Sequence, residues 1–361
     1  MSWLYGIIGN QERNTLVNQV GQIVVYDATQ RYLEEINAQL ELATQLFVEE
    51  ITESHKERYL MTGGGAMQRR GGVVQSGAVK SSGHWDVAYP IFEFGDQIAA
   101  TRVALAHMSL EAYAKHVEGI AIRGVTTIRQ EILKRIFNNT AYTFEDDVYG
   151  ALDIQPLANG DGVLYPPLIG SSNPATQNNY LTTTYAASAI DDTNNPYVTI
   201  RKQLTKQGSR GGAQNILVLI NEAQELVTEA LTGFKEVHDA NIQAGSGEST
   251  LINIPNLPKT ALVIGRVSNV WVAVWDGVPE NYMVAIDMND PAPLKRRVDP
   301  AITGLPRELT LVAEDEKYPL HQAHYEWRFG IGTGNRLNGV VLQLRGDANP
   351  YQPPSEYARI G

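Results

Sequence analysis

The 361-residue chain contains no cysteine. Disulfide staples, thiolate nucleophiles and cysteine-ligated zinc are therefore excluded together, and stability has to come from packing. A Gly-Lys pair occurs nowhere, which excludes the phosphate-cradling loop that must end in Gly-Lys followed by Ser or Thr. Positive charge is scarce: 29 Lys and Arg stand against 40 Asp and Glu, a net charge of -11. Wrapping around phosphates needs a basic face from which counterions are released, so a nucleic-acid reader is not expected, whereas acidity favours solubility. No run approaches the ~18 apolar residues of a membrane span. Residues 1–10 hold a short apolar patch (Trp3, Leu4, Tyr5, Ile7, Ile8) without a basic leader or a small-residue cleavage site, so a cytosolic product is expected.

Acid is also missing locally. Residues 60–85 contain no Asp or Glu, but hold seven glycines together with Arg69, Arg70 and Lys80, between two segments of helical pattern. Structureless connections beyond about 12 to 15 residues are usually functional or disordered. Val73, Val74, Ala78 and Val79 can make a short two-stranded ribbon. A lone hairpin is marginal in water, so it needs a neighbouring surface.

What is present reads as an α+β chain. With 43% hydrophobic residues it can bury a large core, in two lobes plus extensions. Residues 23–26 suggest a short strand. Tyr32, Ile36, Leu40, Ala43, Phe47 and Ile51 then recur at helical spacing as an amphipathic arm. Residues 97–138 read as helix almost throughout, with Val117, Ile120, Val125, Ile128, Ile132 and Ile136 as the buried stripe. Residues 110–137 alone would span roughly 42 Å, so the subunit is expected to be elongated. Gly119 and Gly124 inside that helix cost about 1 kcal/mol each against Ala and suggest bending or close packing. Residues 150–212 dissolve into Pro, Gly, Asn and Thr, with 197–200 as a short strand. Residues 215–238 read as a second amphipathic helix and 245–258 as a linker. Strands are expected at 262–267, 270–275, 282–286, 309–312, 325–329 and 340–344.

Chemistry is sparse. Gly330-Ile331-Gly332-Thr333-Gly334-Asn335 resembles a dinucleotide fingerprint, but its last required glycine is Asn335 and no helical pattern follows; it reads as a strand-end turn. Gly245-Ser246-Gly247-Glu248-Ser249 has the wrong register for a nucleophile elbow. His321 and His324 with Glu326 fall on opposite faces of an apparent strand, which disfavours a metal site. Asp146-Asp147, Asp191-Asp192 and Glu314-Asp315-Glu316 are acid pairs in loop-like sequence, read as solvated. Lys295-Arg296-Arg297 is the densest basic run, read as an ion-paired subunit contact. No cofactor and no metal are expected.

Val278-Pro279-Glu280-Asn281-Tyr282-Met283-Val284-Ala285-Ile286-Asp287, Pro293-Leu294, Glu326-Trp327-Arg328-Phe329-Gly330-Ile331-Gly332 and Val340-Val341-Leu342-Gln343-Leu344 resemble the closing strands of tailed-phage major capsid proteins of the Hong Kong 97 type. The order of elements extends the likeness over nearly the whole chain. The resemblance implies an N-terminal arm (1–55), an extended loop (56–96), a peripheral domain made of 97–149 and 304–361 with a spine helix at 110–138, and an axial domain (150–303). It implies no enzyme, but a shell protein that self-assembles through hexamers and pentamers into an icosahedral virion. That shell would be built in the host cytoplasm around double-stranded DNA held without sequence-specific binding, with no membrane. Implied partners are a separate scaffold protein, because the arm begins close to Met1, a portal, and a decoration protein. Arg69, Arg70, Lys80, Trp85, Lys295, Arg296 and Arg297 are the inferred intersubunit contacts. Lys80 is the only lysine in the loop. Asn335 and Asn338 lie in the region where some relatives crosslink, but no local pattern identifies a catalytic glutamate and crosslinking is not expected. Two rival readings remain: an encapsulin-like nanocompartment shell, which shares the fold, and a carboxylate-based hydrolase with a glycine-rich lid.

Overall fold

The computed structural model describes Leu16 and residues 22–60, 83–99, 107–171, 173–206, 215–236, 261–312 and 322–358. Arg69, Arg70, Lys80, His321, the 314–316 acids, the 245–258 linker and the 1–10 apolar patch lie outside the described residues.

Helix α1 (Gln22–Thr44) buries Val25, Ala28, Thr29, Tyr32, Leu33 and Leu40, the three-to-four spacing of one helix face. From that helix, Gln30 Nε2 and Asn37 Nδ2 donate to the carbonyl oxygens of Leu311 (2.9 Å) and Leu309 (3.1 Å). Next come β1 (Val48–Thr52), β2 (Lys56–Leu60), β3 (His84–Ala88) and β4 (Phe92–Ala99). Helix α2 (Leu110–Phe137) begins at Ser109, whose Oγ accepts from Ala112 N at 3.2 Å. Glu111 in its first turn and Lys134 and Arg135 in its last complement the helix dipole. Then follow β5 (Tyr142–Asp146), β6 (Gly150–Ile154), β7 (Tyr180–Thr183), α3 (Pro196–Thr205), β8 (Ile216–Ile220), α4 (Glu225–Glu229), β9 (Lys235–Glu236), β10 (Leu262–Val267), β11 (Val270–Val274), β12 (Tyr282–Asp287), β13 (Leu294–Arg297), β14 (Thr310–Val312), β15 (Gln322–Thr333) and β16 (Val340–Leu344).

Two sheets organise these elements. In the five-stranded sheet β1, β13, β15 and β14 follow in order, and β4 also pairs with β15. β15 serves both halves: residues 322–329 run antiparallel to β4, and 330–333 run antiparallel to β13. The seven-stranded sheet runs β7-β16-β12-β8-β11-β10-β9. Its central strands β8, β12 and β16 are buried throughout. Alternation sends Leu217, Leu219, Val284 and Val341 into the core shared with α2, and Val218, Met283 and Leu342 into a second core capped by Tyr197, Ile200 and Leu204 of α3. β2 and β3 form a separate antiparallel ribbon, and β5 and β6 a hairpin.

Several sequence expectations are corrected. Residues 23–26 belong to α1, and that helix stops at Thr44, leaving Phe47 in a turn and Ile51 on β1. Residues 97–99 are strand, since β15 supplies eight antiparallel partners to β4 before the Ser109 cap starts the helix. Val125 is 43% exposed and leaves the stripe, whereas Gly124 faces the core, where an added Cβ would sit 3.1 Å from Leu309 Cδ2. The 215–238 helix is instead β8 plus the short α4: Ile216-Leu217-Val218-Leu219-Ile220 is apolar at every position, which matches any period and here means a strand covered on both faces. Residues 197–200 are helical, started by Asn195 accepting from Tyr197 N and Val198 N with Pro196 in the first turn. Gly330-Ile331-Gly332 is the interior of β15, not a turn.

Candidate functional site at the root of the ribbon

Strand β2 alternates Lys56 and Arg58 with Glu57 and Tyr59, so its two faces carry different chemistry. Across the ribbon Arg58 pairs with Asp86, and Tyr59 with Trp85. On one face Arg58 grips Asp86 with Nε to Oδ1 at 2.7 Å and Nη2 to Oδ2 at 3.0 Å, and Lys56 Nζ approaches Oδ2 at 2.9 Å. Hydrogen bonds from Arg58 and then Lys56 hold the Asp86 carboxyl well below its usual range. On the other face Tyr59 and Trp85 stack at 5.5 Å, and Trp85 meets Tyr165 edge-on at 5.3 Å.

Beneath the ribbon Glu57 is a hub. Its Oε2 accepts from Tyr59 OH (3.1 Å), Tyr89 OH (3.0 Å) and Lys295 Nζ (3.0 Å), and Lys295 Nζ also reaches Glu50 Oε1 at 2.6 Å. Burial alone would lower the Lys295 ammonium, but its hydrogen bonds to Glu50 and Glu57 outweigh that and leave it raised. Burial first, then the charges of Tyr59 and Glu57, raises the Tyr89 phenol far above its ordinary value. The Glu49 carboxyl is raised by burial, against the pull of Lys295 and reinforced by Glu50 and Glu57. A lysine held in its charged form is no nucleophile, and with Glu57 Oε2 accepting three hydrogen bonds the cluster is built as an anchor.

Two residues along, Arg297 Nη1 meets Asp146 Oδ2 at 2.7 Å and donates to Tyr89 O at 2.8 Å, tying the ribbon to the β5–β6 hairpin. Arg296, between them, points to the opposite face of β13. It is buried there, and burial lowers its guanidinium against the pull of Glu41 and Glu308. Where β15 passes under the ribbon's exit, a Cβ on Gly330 would lie 1.9 Å from Pro90 O, and one on Gly332 2.5 Å from Tyr89 Cδ1.

Of the expected contact residues, Trp85, Lys295, Arg296 and Arg297 are described. Trp85, Lys295 and Arg297 converge on this root, and Lys295 and Arg297 find carboxylates within their own chain. Asp146 is buried and engaged by Arg297, against the solvated reading, whereas Asp147, Asp191 and Asp192 are exposed as that reading expects, with Asp191 Oδ1 accepting from Thr193 N and Asn194 N and Asp192 Oδ1 from Thr232 N. No group of three potential metal ligands occurs among the described residues. Sequence reasoning missed Glu50, Glu57 and Tyr89. The signal available was the strand alternation Lys56-Glu57-Arg58-Tyr59, which sets one acid apart from its basic neighbours.

No family model and no curated protein matches the chain. Among solved structures, one described as "Mycobacterium phage Patience" superposes with a TM-score of 0.65 at 17% identity, covering 97% of this chain and 95% of that one. The chain has the Hong Kong 97 type of capsid fold. Weaker likenesses are a putative capsid protein of a prophage of E. coli CFT073 (TM-score 0.48, 8% identity, 88% and 99% covered) and the capsid of a native GTA particle (TM-score 0.46, 12% identity, 84% and 90% covered).

Proposed function

We propose that this chain is the major capsid protein of a tailed phage, a structural, non-enzymatic subunit that tiles an icosahedral head shell around packaged double-stranded DNA. The observation that carries the reading is the capsid-type fold over 97% of the chain. Copies group as hexamers and pentamers. A closed shell must correct errors as it grows, so each contact is weak and gains strength by multiplicity. Residues 1–55 act as the arm, 56–96 as the extended loop, 97–149 and 304–361 as the peripheral domain, and 150–303 as the axial domain. Strand β13 crosses into the five-stranded sheet and β16 into the seven-stranded one, so the two lobes exchange strands.

Arg69, Arg70 and Lys80 meet acidic surface on a neighbouring copy, consistent with a subunit of net charge -11, and Trp85 belongs to the same contact at the loop's root. Lys295 and Arg297 serve that contact by fixing the base from which the loop leaves, and Arg296 by holding the other face of the same strand. A scaffold protein, a portal and a decoration protein complete the particle, which assembles in the host cytoplasm. The test is electron microscopy of the expressed chain, alone and with its scaffold. Closed shells are expected from the full chain, and soluble, folded capsomers or monomers without shells from a chain lacking residues 62–83. A full chain that stays monomeric under every assembly condition overturns the proposal. Shells that enclose an enzyme and no DNA assign the fold to a nanocompartment instead.

A further inference from the structure

Beside β3 lies a cavity of about 340 Å³ whose lining includes His84, Trp85, Asp86, Gln155, Leu164 and Arg336. The Arg336 side chain is fully buried. Its Nε donates to Pro156 O at 2.7 Å and its Nη2 to Asp161 Oδ2 at 2.5 Å. Its Nη1 is buried with no hydrogen-bond partner among the described residues, and so are Trp85 Nε1 and Tyr165 OH. Trp85 meets Tyr165 edge-on at 5.3 Å, and Arg336 Cζ lies 5.9 Å from the Tyr165 ring centre, so Tyr165 lies against both.

An unmet buried donor costs about 1–3 kcal/mol, and folded proteins pair nearly all of them. Guanidinium and indole N–H groups can only donate, so the missing partner is an acceptor. Asp86 in the lining is already matched by Lys56 and Arg58 from the ribbon's other face, and Arg336 by Asp161, so the group carries one positive charge in excess, which favours an anion. The two carboxylates repel a doubly charged phosphate, whereas a monoanionic carboxylate can take the one unmet Arg336 donor, Nη1, on one oxygen and Trp85 Nε1 on the other.

We propose that this cavity is a carboxylate-binding site, with Arg336 Nη1 and Trp85 Nε1 donating to one carboxylate. The group is either a free small acid or an Asp or Glu side chain of a second copy. In both cases it joins β3 to the 156–165 segment and stiffens the ribbon's base. The free-acid arm does not depend on the capsid reading; only the second-copy arm does.

The test follows the Trp85 indole ¹⁵N–¹H resonance, assigned by its loss in Trp85→Phe, in the unassembled full chain titrated with sodium acetate and with sodium chloride at equal ionic strength. A free-acid site gives a saturable shift with acetate alone, and an acetate-dependent rise in melting temperature that Trp85→Phe weakens at least tenfold in half-saturating concentration. A second-copy site gives a Trp85 resonance already shifted in assembled shells, read by solid-state NMR, and no longer responsive to acetate. A resonance that follows acetate and chloride alike and does not move on assembly means that water alone fills the cavity, and overturns the proposal. Arg336 is left intact throughout, and circular dichroism confirms that Trp85→Phe folds.

Discussion

Gly330→Ala tests the crossing on which the ribbon rests. The added Cβ would lie 1.9 Å from Pro90 O, 2.5 Å from Pro90 C and 2.9 Å from Ile91 Cα. Comfortable carbon-to-oxygen contacts start near 3.3 Å, so the chains must part by about 1.4 Å. All three obstructing atoms are backbone, so no rotamer can yield. β15 cannot slide either: Gly330 sits in register with Arg297 on β13, and Phe329 with Phe92 on β4. Moving residues 89–91 also disturbs Tyr89 O, which accepts from Arg297. Overpacking costs typically 1–3 kcal/mol, and a site walled by paired backbone belongs at the top of that range, about 3 kcal/mol.

Gly119→Ala is the matched control. A Cβ there meets nothing within 4 Å, and Ala gains about 1 kcal/mol over Gly inside a helix, so this variant is expected to be more stable than wild type. The same chemical change thus separates two variants by about 4 kcal/mol. Urea denaturation of the unassembled chain, followed by the fluorescence of buried Trp275 and Trp327, measures both. A Gly330→Ala midpoint within about 0.5 kcal/mol of wild type would refute the crossing argument.

Lys295→Met removes the cation shared by Glu50 and Glu57. The Glu50 side chain is 54% exposed and recovers its hydration, so a loss of about 1–3 kcal/mol is expected in the same urea assay, less than a fully buried pair would show. In acid, the Asp86 carboxyl sits below its unfolded value of about 3.9; its stabilisation is complete above that pH and is lost as pH falls through the lower folded value. Asp86→Asn should therefore flatten the fall of stability below about pH 4, seen as midpoints that converge with wild type as pH drops. In alkali the sign reverses. Tyr89 and Tyr325 are held neutral by burial, so their contribution is complete below about pH 10 and is lost as pH rises above it. Their phenolate absorbance is expected only when the chain unfolds, and early titration of either would contradict their burial.

What was legible in the sequence follows from how much each element owes to itself. Helix α2 was readable because its apolar stripe and its polar faces are set by its own residues. The strands at 262–267, 282–287 and 340–344 were readable because they are short, β-branched and bounded by turn residues. Strand β8 was not, because an all-apolar pentapeptide carries no period and only its neighbours β11 and β12 decide its state. The C-terminal end of β4 is strand because β15 lies beside it, a partner more than 220 positions away in sequence. The site was half legible for the same reason. Its basic residues stood out as a run, while Glu50, Glu57 and Asp146 are unremarkable acids until folding brings them to that run.

The densest basic run of an acidic chain looked like surface, and its burial has a geometric cause. A strand sends neighbours to opposite faces, so Lys295-Arg296-Arg297 is not one patch of charge but a pair on one face and a single guanidinium on the other. The pair meets Glu50, Glu57 and Asp146 at short range. Arg296 on the far face is set among Glu41 and Glu308. Charge that is matched within the subunit contributes nothing to steering between subunits, because its field closes on its own counter-ions. Residues 60–85, by contrast, bring Arg69, Arg70 and Lys80 without a single acid among them. In the proposed shell this acid-free segment is the assigned source of attraction to another acidic copy. Salt should then slow shell growth in the full chain far more than it lowers the stability of the isolated subunit, measured by light scattering and urea midpoints over the same salt series. Equal sensitivity of the two would place the steering charge elsewhere.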